Sequence, residues 1–364
     1  MPGQQIPLAD TKALYAPLVP ELRRAFDEVL ESGRFVFGPN VKAFEEEAAD
    51  YLGVPETVGV ANGTDAIVIA LDALGVGGGD EVICPAFTFF ATAEAIARTG
   101  ATPVFAEIDP QTFVLDPADV AARVTERTKA IVPVHLFGRP CPLDGLAELG
   151  LPIVEDAAQA FGSPDVAGVG VASTFSFYPS KNLFGLGDGG LVAVRDADLA
   201  ERIRLLRFHG SRAKRIFELV GYNSRLDELQ AAALRIFLPQ LDSWTRLRRE
   251  AADRYRELGL GDLVEVPSDE PGHVYHLFVC RSPERDRLCA ALSDAGVGNA
   301  TYYEPPLHLQ PALRHLGYAE GSLPVTERVA VESFAVPLWP GLRPEQQERV
   351  VEVIRRAVRV QTVS

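Results

Sequence analysis

A carboxylate and an amine set the chemistry open to this chain. The stretch 152–194, PIVEDAAQAFGSPDVAGVGVASTFSFYPSKNLFGLGDGGLVAV, places Glu155 and Asp156 behind an apolar run and Lys181 in a Ser- and Gly-rich turn. Pro152 to Val154 reads as the end of a short buried strand, so both carboxylates fall at its carboxyl end, where open α/β sheets hold ligands. Successive strand residues face opposite sides, so only one of the two can face a given ligand. Gly185, Gly187, Gly189 and Gly190 follow Lys181 and let backbone come close to a bound molecule. A lysine that forms a Schiff base and an anion that keeps a pyridine nitrogen protonated are what pyridoxal 5′-phosphate requires. Taken singly these residues are ordinary, since a lysine after a strand is usually solvated and an aspartate at a strand end often caps a helix.

The elements that would position the pair alternate along the chain. Pro20 to Ser32 carries the apolar spacing of an amphipathic helix, and FGPN at 37–40 precedes a second helix from Val41 to Leu52. Thr57 to Val60 is a strand, Asn62-Gly63-Thr64 a turn, and Asp65 to Leu74 a helix whose N-terminus suits an anion. GDEVICP, TPVFAEI, KAIVPVHL and PIVED read as strands with helical segments between them, which implies an α/β fold with a mostly parallel sheet covered on both faces. Leu226 to Leu258 is helical in pattern but interrupted by Pro239, and a domain boundary is expected there, dividing a large domain, 1–240, from a smaller C-terminal α+β domain, 241–364. In the latter, VYHLFVC at 274–280 reads as a strand, RDRLCAALSDAG as a helix ended by Gly296, and PEQQERVVEVIRRAV as a closing helix begun at Pro344.

Composition removes several function classes. Fifty acidic against 35 basic residues give a net charge of −15 over 364 residues, which makes nucleic acid a poor partner. No stretch reaches the roughly 18 unbroken apolar residues of a membrane span and the N-terminus has no leader pattern, so a cytoplasmic protein is expected. Cys84, Cys141, Cys280 and Cys289 are scattered without metal-ligand spacing and read as reduced packing residues, so no metal is expected.

VEDAAQAFG followed by FSFYPSKNLFGLGDGG resembles the cofactor segment of the DegT/DnrJ/EryC1/StrS family of nucleotide-sugar aminotransferases, within the fold-type I pyridoxal phosphate class. The likeness extends to NGTDAI at 62–67, DEVICPAFTFFAT at 80–92, PVHLFG at 133–138, GYNSRLDELQAA at 221–232 and PPLHLQPALRHLGY at 305–318, nearly the whole chain. It implies a seven-stranded sheet with one antiparallel strand, and Lys181 as the residue that holds pyridoxal 5′-phosphate and shuttles a proton, kept reactive by buried, cationic surroundings. Asp156 matches the partner of the pyridine nitrogen and Gln159 a residue near the ring hydroxyl. Gly63, Thr64 and Ser176 match phosphate ligands, and Phe89 an aromatic stacked on the ring. Asn223 matches an asparagine that reaches the cofactor phosphate of a neighbouring subunit, which implies a homodimer with shared active sites. His308 lies where the family's second domain approaches the sugar, with Tyr302 and Tyr303 just before it, and Arg225 could bind a substrate carboxylate or a nucleotide phosphate.

The same residues keep blander readings: Gln159 as a helix-surface residue, Phe87, Phe89 and Phe90 as core, Asn223 as a helix cap, Arg225 paired with Asp227 or Glu228, His308 as a structural histidine, and Tyr302 and Tyr303 as packing at the domain junction. His135 and His209 receive no role. The segment SPDVAGVGVA after Gly162 is shorter than the family's hairpin there, so a substrate contact from it is not expected. The activity implied is transfer of an amino group from glutamate or glutamine to a nucleotide-linked keto-sugar. YYEPPLHLQPALRHLGY at 302–318 resembles the corresponding segment of relatives that aminate carbon 3 of a nucleotide-linked sugar more than that of relatives acting on carbon 4, which implies a 3-keto substrate. A dehydratase of the same fold carries histidine in place of the lysine and is disfavoured by Lys181; a keto-inositol aminotransferase and a non-catalytic ligand-binding regulator are the competing readings.

Overall fold

The computed structural model describes residues 5–213 and 215–359. In its larger part the strands are β1 Glu56–Val60, β2 Glu81–Pro85, β3 Thr102–Ala106, β4 Thr128–Ile131, β5 Val154–Asp156, β6 Ala172–Ser176 and β7 Gly190–Val194. β2 runs parallel to β3 and β4, β5 runs parallel to β6, and β7 runs antiparallel to both β6 and β1. The two groups meet at isolated parallel bridges, Ile131 with Ile153 and Val134 with Asp156. The order therefore reads β3, β2, β4, β5, β6, β7, β1. β4 ends earlier than the apolar run 129–136 suggests, because Pro133 has no N–H to continue the ladder.

Both faces of this sheet are covered, which explains strands with little polar alternation. Val192 and Val194 join the helix Gly63–Ala73 in one core, while Leu191 and Ala193 join the helices Pro39–Leu52 and Glu228–Phe237 in another. Pro239 breaks the long helical stretch as expected: Glu228–Phe237, a tight turn at Leu238–Gln240, then Leu241–Glu257.

The C-terminal part has a three-stranded antiparallel sheet of β8 Phe278–Arg281, β9 Ala300–Thr301 and β10 Ser333–Val336, with β10 in the middle. Helices Arg285–Asp294 and Pro344–Arg359 pack on it, and Gly296 beyond the first adopts φ 69°. Residues 274–277, expected in strand form, are a connecting loop. Their hydrogen bonds go elsewhere: Val274 N–H donates to the Gly138 carbonyl at 2.8 Å, and the Val274 carbonyl accepts from Asn182 Nδ2 at 3.0 Å.

Two segments cross between the parts. Ile6 sits in the C-terminal core, stitched to Gly296 and Gly298 by backbone bonds, while Leu307, Leu313 and Leu323 pack into the core of the larger sheet. Among the described residues no helix is long and apolar enough to cross a membrane, and no cluster of side chains could hold a metal ion.

Candidate active site

A cleft of about 840 Å³ opens beyond the carboxyl ends of β5 and β6, and Asp156 and Lys181 both line it. Asp156 is 5% exposed. Its Oδ2 accepts from the Thr92 hydroxyl at 2.8 Å and its Oδ1 from the Ala158 N–H at 3.2 Å. Burial pushes its pKa up, and the Thr92 bond, the Ala158 N–H and the charge of Lys181 act against that rise. Burial likewise lowers the Lys181 ammonium to about 8, with Asp156 opposing the shift. Of the buried, cationic surroundings that the resemblance implied, it is the burial that lowers this amine.

Glu155 faces away from Asp156, as strand alternation requires. It is fully buried and accepts from His135 Nε2 at 2.9 Å, the Gly170 N–H at 2.8 Å, the Ala167 N–H at 3.2 Å and the Ser173 hydroxyl at 3.0 Å. Cys141 N–H donates to His135 Nδ1 at 2.9 Å, which leaves the ring proton on Nε2, aimed at Glu155. Burial raises the Glu155 pKa, but the His135 and Gly170 bonds more than offset it and the carboxyl ends below its ordinary value. His135 thus has a structural role: with Glu155 it pins the loop 163–171 against the middle of the sheet.

The turn that carries Lys181 is braced from three directions. Lys181 N–H donates to the Tyr178 carbonyl at 2.8 Å, the Thr11 hydroxyl to the Pro179 carbonyl at 3.2 Å, and His276 Nε2 to the Ser180 carbonyl at 3.1 Å. On the same cleft wall Gly63, Thr64 and Ser176 come together at the start of the helix Gly63–Ala73, capped by Asn62 Oδ1 accepting from Asp65 N–H at 2.8 Å. A side chain at Gly63 would place its Cβ 2.6 Å from Ser176 Cβ, so glycine is needed for this approach. A helix start with two hydroxyls suits a phosphate dianion.

Gln159 lies in a turn rather than on a helix surface and is 6% exposed. Its Oε1 accepts from the Phe137 N–H at 2.6 Å and its Nε2 donates to the Tyr303 hydroxyl at 3.2 Å. Burial pushes the Tyr303 pKa up, so this phenol stays protonated. Phe87 is core, but Phe89 is 59% exposed at the cleft, with its ring centroid 6.5 Å from that of Tyr303.

Three expected residues lie outside the cleft wall. His308 is 1% exposed, bonded through Nε2 to Glu327 at 2.9 Å and packed by Phe105 and Tyr318; the short turn Leu307–Leu309 holds it under the sheet, so it does not line the sugar side as the sequence suggested. Arg225 lies over Phe208 at 6.0 Å beside His209 and Phe217, away from Lys181 of its own chain. Asn223 is exposed near it, its backbone bridged to Phe208. Sequence reading passed over Thr92, His276, Arg248, and Leu8 to Thr11 with Leu14, all of which line the cleft. Thr92 stood inside the quoted ICPAFTFFAT run; the others come from parts of the chain too distant for any spacing to reveal.

The DegT/DnrJ/EryC1/StrS aminotransferase family model matches residues 18–355. The chain belongs to that family. It is 49% identical over 362 residues to the pleiotropic regulatory protein of Geobacillus stearothermophilus, covering 96% of this chain and 97% of that one. It is 45% identical over 365 residues to the dTDP-3-amino-3,4,6-trideoxy-alpha-D-glucose transaminase of Streptomyces venezuelae, covering 96% of both. The crystal structure of S. venezuelae DesV in complex with a ketimine intermediate superposes with a TM-score of 0.94 at 44% identity, covering 97% of this chain and 98% of that one. The fold is that of the family's aminotransferases.

Proposed function

We propose that this family member is a pyridoxal 5′-phosphate-dependent transaminase that moves an amino group from glutamate or glutamine to a nucleotide-linked keto-sugar, with carbon 3 as the preferred position. The observation that carries the reading is the meeting of Lys181 and Asp156 on one cleft wall, with a phosphate-sized cradle of Gly63, Thr64 and Ser176 beside them. When bound, the cofactor supplies an electron sink that lets an amine and a ketone exchange nitrogen. Lys181 would hold it and serve as the proton carrier, Asp156 would be the counter-charge of its pyridine nitrogen, and Gln159, Tyr303 and Phe89 would help to hold it in the cleft.

Thr92 positions Asp156 in this scheme. Thr92→Val is expected to lower turnover roughly 10- to 100-fold, the scale of a lost hydrogen bond to a charged group, while Thr92→Ser retains most of it. Steady-state kinetics of both variants checks this; loss in Thr92→Ser with turnover retained in Thr92→Val would show that packing of the methyl group matters instead.

The preference for carbon 3 is supported by the Streptomyces relative, whose name specifies a 3-amino sugar. Matched 3-keto and 4-keto nucleotide sugars, offered to the amine-loaded protein under single-turnover conditions, test it; faster return of the violet-absorbing form with the 4-keto sugar would refute the assignment. The Geobacillus relative is named a regulatory protein, which keeps a non-catalytic reading in view. The intact lysine, aspartate and cradle argue against it, and such a protein would show no change of absorbance with glutamate.

We further infer a homodimer with shared sites in the cytoplasm. Phe35, Phe37, Ile216, Phe217 and Val220 are exposed apolar residues, and Phe37, Phe217 and Arg225 gather around Phe208 close to Asn223. A second copy covering this face would take Asn223 to its partner's cofactor. The four cysteines are free thiols, which suits a reducing compartment. Mixing Lys181→Ala and Asn223→Ala proteins under subunit exchange is expected to raise activity above the sum of the parents, because one site of each hybrid carries neither defect. No rise despite exchange verified by mass spectrometry would count against shared sites.

A further inference from the structure

Five arginines of the described chain are at least nine-tenths buried, and four of them meet a carboxylate. Arg139 pairs with Glu270 at 2.5 Å, Arg207 with Glu45 at 2.5 Å, Arg285 with Glu304 at 2.7 Å, and Arg281 with Glu265. Arg248 is the exception. It is 5% exposed and has no carboxylate partner among the described residues; its Nη1 reaches only the Tyr275 and His276 carbonyls, at the long distances of 3.3 and 3.4 Å. A guanidinium taken from water without an anion is costly, so folds rarely keep one unless a ligand completes it.

Its position says which ligand. Arg248 projects from the helix Leu241–Glu257 and lines the same cleft as Lys181. The loop whose carbonyls it touches is the one whose His276 braces Ser180, the residue before Lys181. Arg98, the other arginine on the cleft wall, is half-exposed and already faces Asp65 at 3.4 Å. Resting on the transaminase reading above, we propose that Arg248 is the subsite for a carboxylate of the amino donor. The planar fork matches a carboxylate in two-pronged fashion and would orient the donor's amine toward the Lys181 position.

The test is calorimetric binding of glutarate, a donor-like dicarboxylate without an amine, to the holoenzyme, beside its uncharged diamide and inorganic phosphate. The wild-type protein is expected to bind glutarate and not the diamide. Arg248→Gln should weaken glutarate on the order of 10²-fold, the scale of removing one partner of a buried charged pair, and Arg248→Lys should retain part of the affinity. The Lys variant and the melting temperature of each protein guard against a folding defect, since lysine can still reach the two carbonyls. With glutamate as donor, the loss in Arg248→Gln should fall mainly on KM. Unchanged glutarate affinity in Arg248→Gln would overturn the subsite, as would a loss confined to phosphate, which would assign the guanidinium to a phosphate. A protein that binds glutarate through Arg248 yet aminates no keto-sugar would sink the proposed reaction and leave the carboxylate subsite standing.

Discussion

Lys181→Ala is expected to abolish turnover, by on the order of 10⁴-fold or more, because it removes both the covalent attachment point and the group that moves the proton. The fold should survive. The Lys181 side chain makes no hydrogen bond or ion pair with the described residues, and the turn around it is held by backbone and by Thr11, Asn182 and His276. The variant should therefore melt near the wild-type temperature and still bind cofactor reversibly through the cradle at Gly63, Thr64 and Ser176. Borohydride treatment followed by peptide mass mapping gives the check. The wild-type protein should carry reduced cofactor on the peptide containing Lys181, and the variant should carry none. Reduced cofactor on another lysine of the variant would move the attachment point.

Asp156→Asn should cost on the order of 10²- to 10⁴-fold in turnover, the range for a lost proton-handling group, with little loss of stability. The amide is nearly the same size and can still accept from the Thr92 hydroxyl or the Ala158 N–H. Burial disfavours the charged carboxylate here, so a neutral residue relieves the folded protein of that desolvation while depriving the pyridine nitrogen of its counter-charge. Glu155 cannot substitute, since all its hydrogen bonds lie on the opposite face. Turnover and thermal melting measured on the same preparation separate the two effects. Near-normal turnover would remove Asp156 from the role.

What the sequence made legible was local. Strands of the larger sheet follow from short apolar runs bounded by Gly and Pro, the break at Pro239 from a missing N–H, and the opposed faces of Glu155 and Asp156 from the two-residue period of a strand. Lys181 and Asp156 were recognisable because both belong to one continuous motif. For His308 the sequence left a structural and a substrate reading open, because nothing local shows that Leu307 and Leu313 pack into the core and carry the histidine with them to Glu327. Residues 274–277 have the composition of a strand, yet Gly138 and Asn182 claim their polar groups. Arg248 looks like one more basic residue of a charged helix, and only its lack of a carboxylate partner among the described residues sets it apart.

The central claim is that nitrogen leaves an amino acid and arrives on a sugar at the cleft built by Lys181 and Asp156. Incubating the holoenzyme with isotope-labelled glutamate and a nucleotide-linked 3-keto-sugar, then weighing the sugar product by mass spectrometry, tests this directly. The account predicts an amino sugar carrying the label, absent from reactions with Lys181→Ala. A sugar nucleotide recovered unchanged beside fully labelled glutamate, from protein whose cofactor is shown to be attached at Lys181, would contradict it.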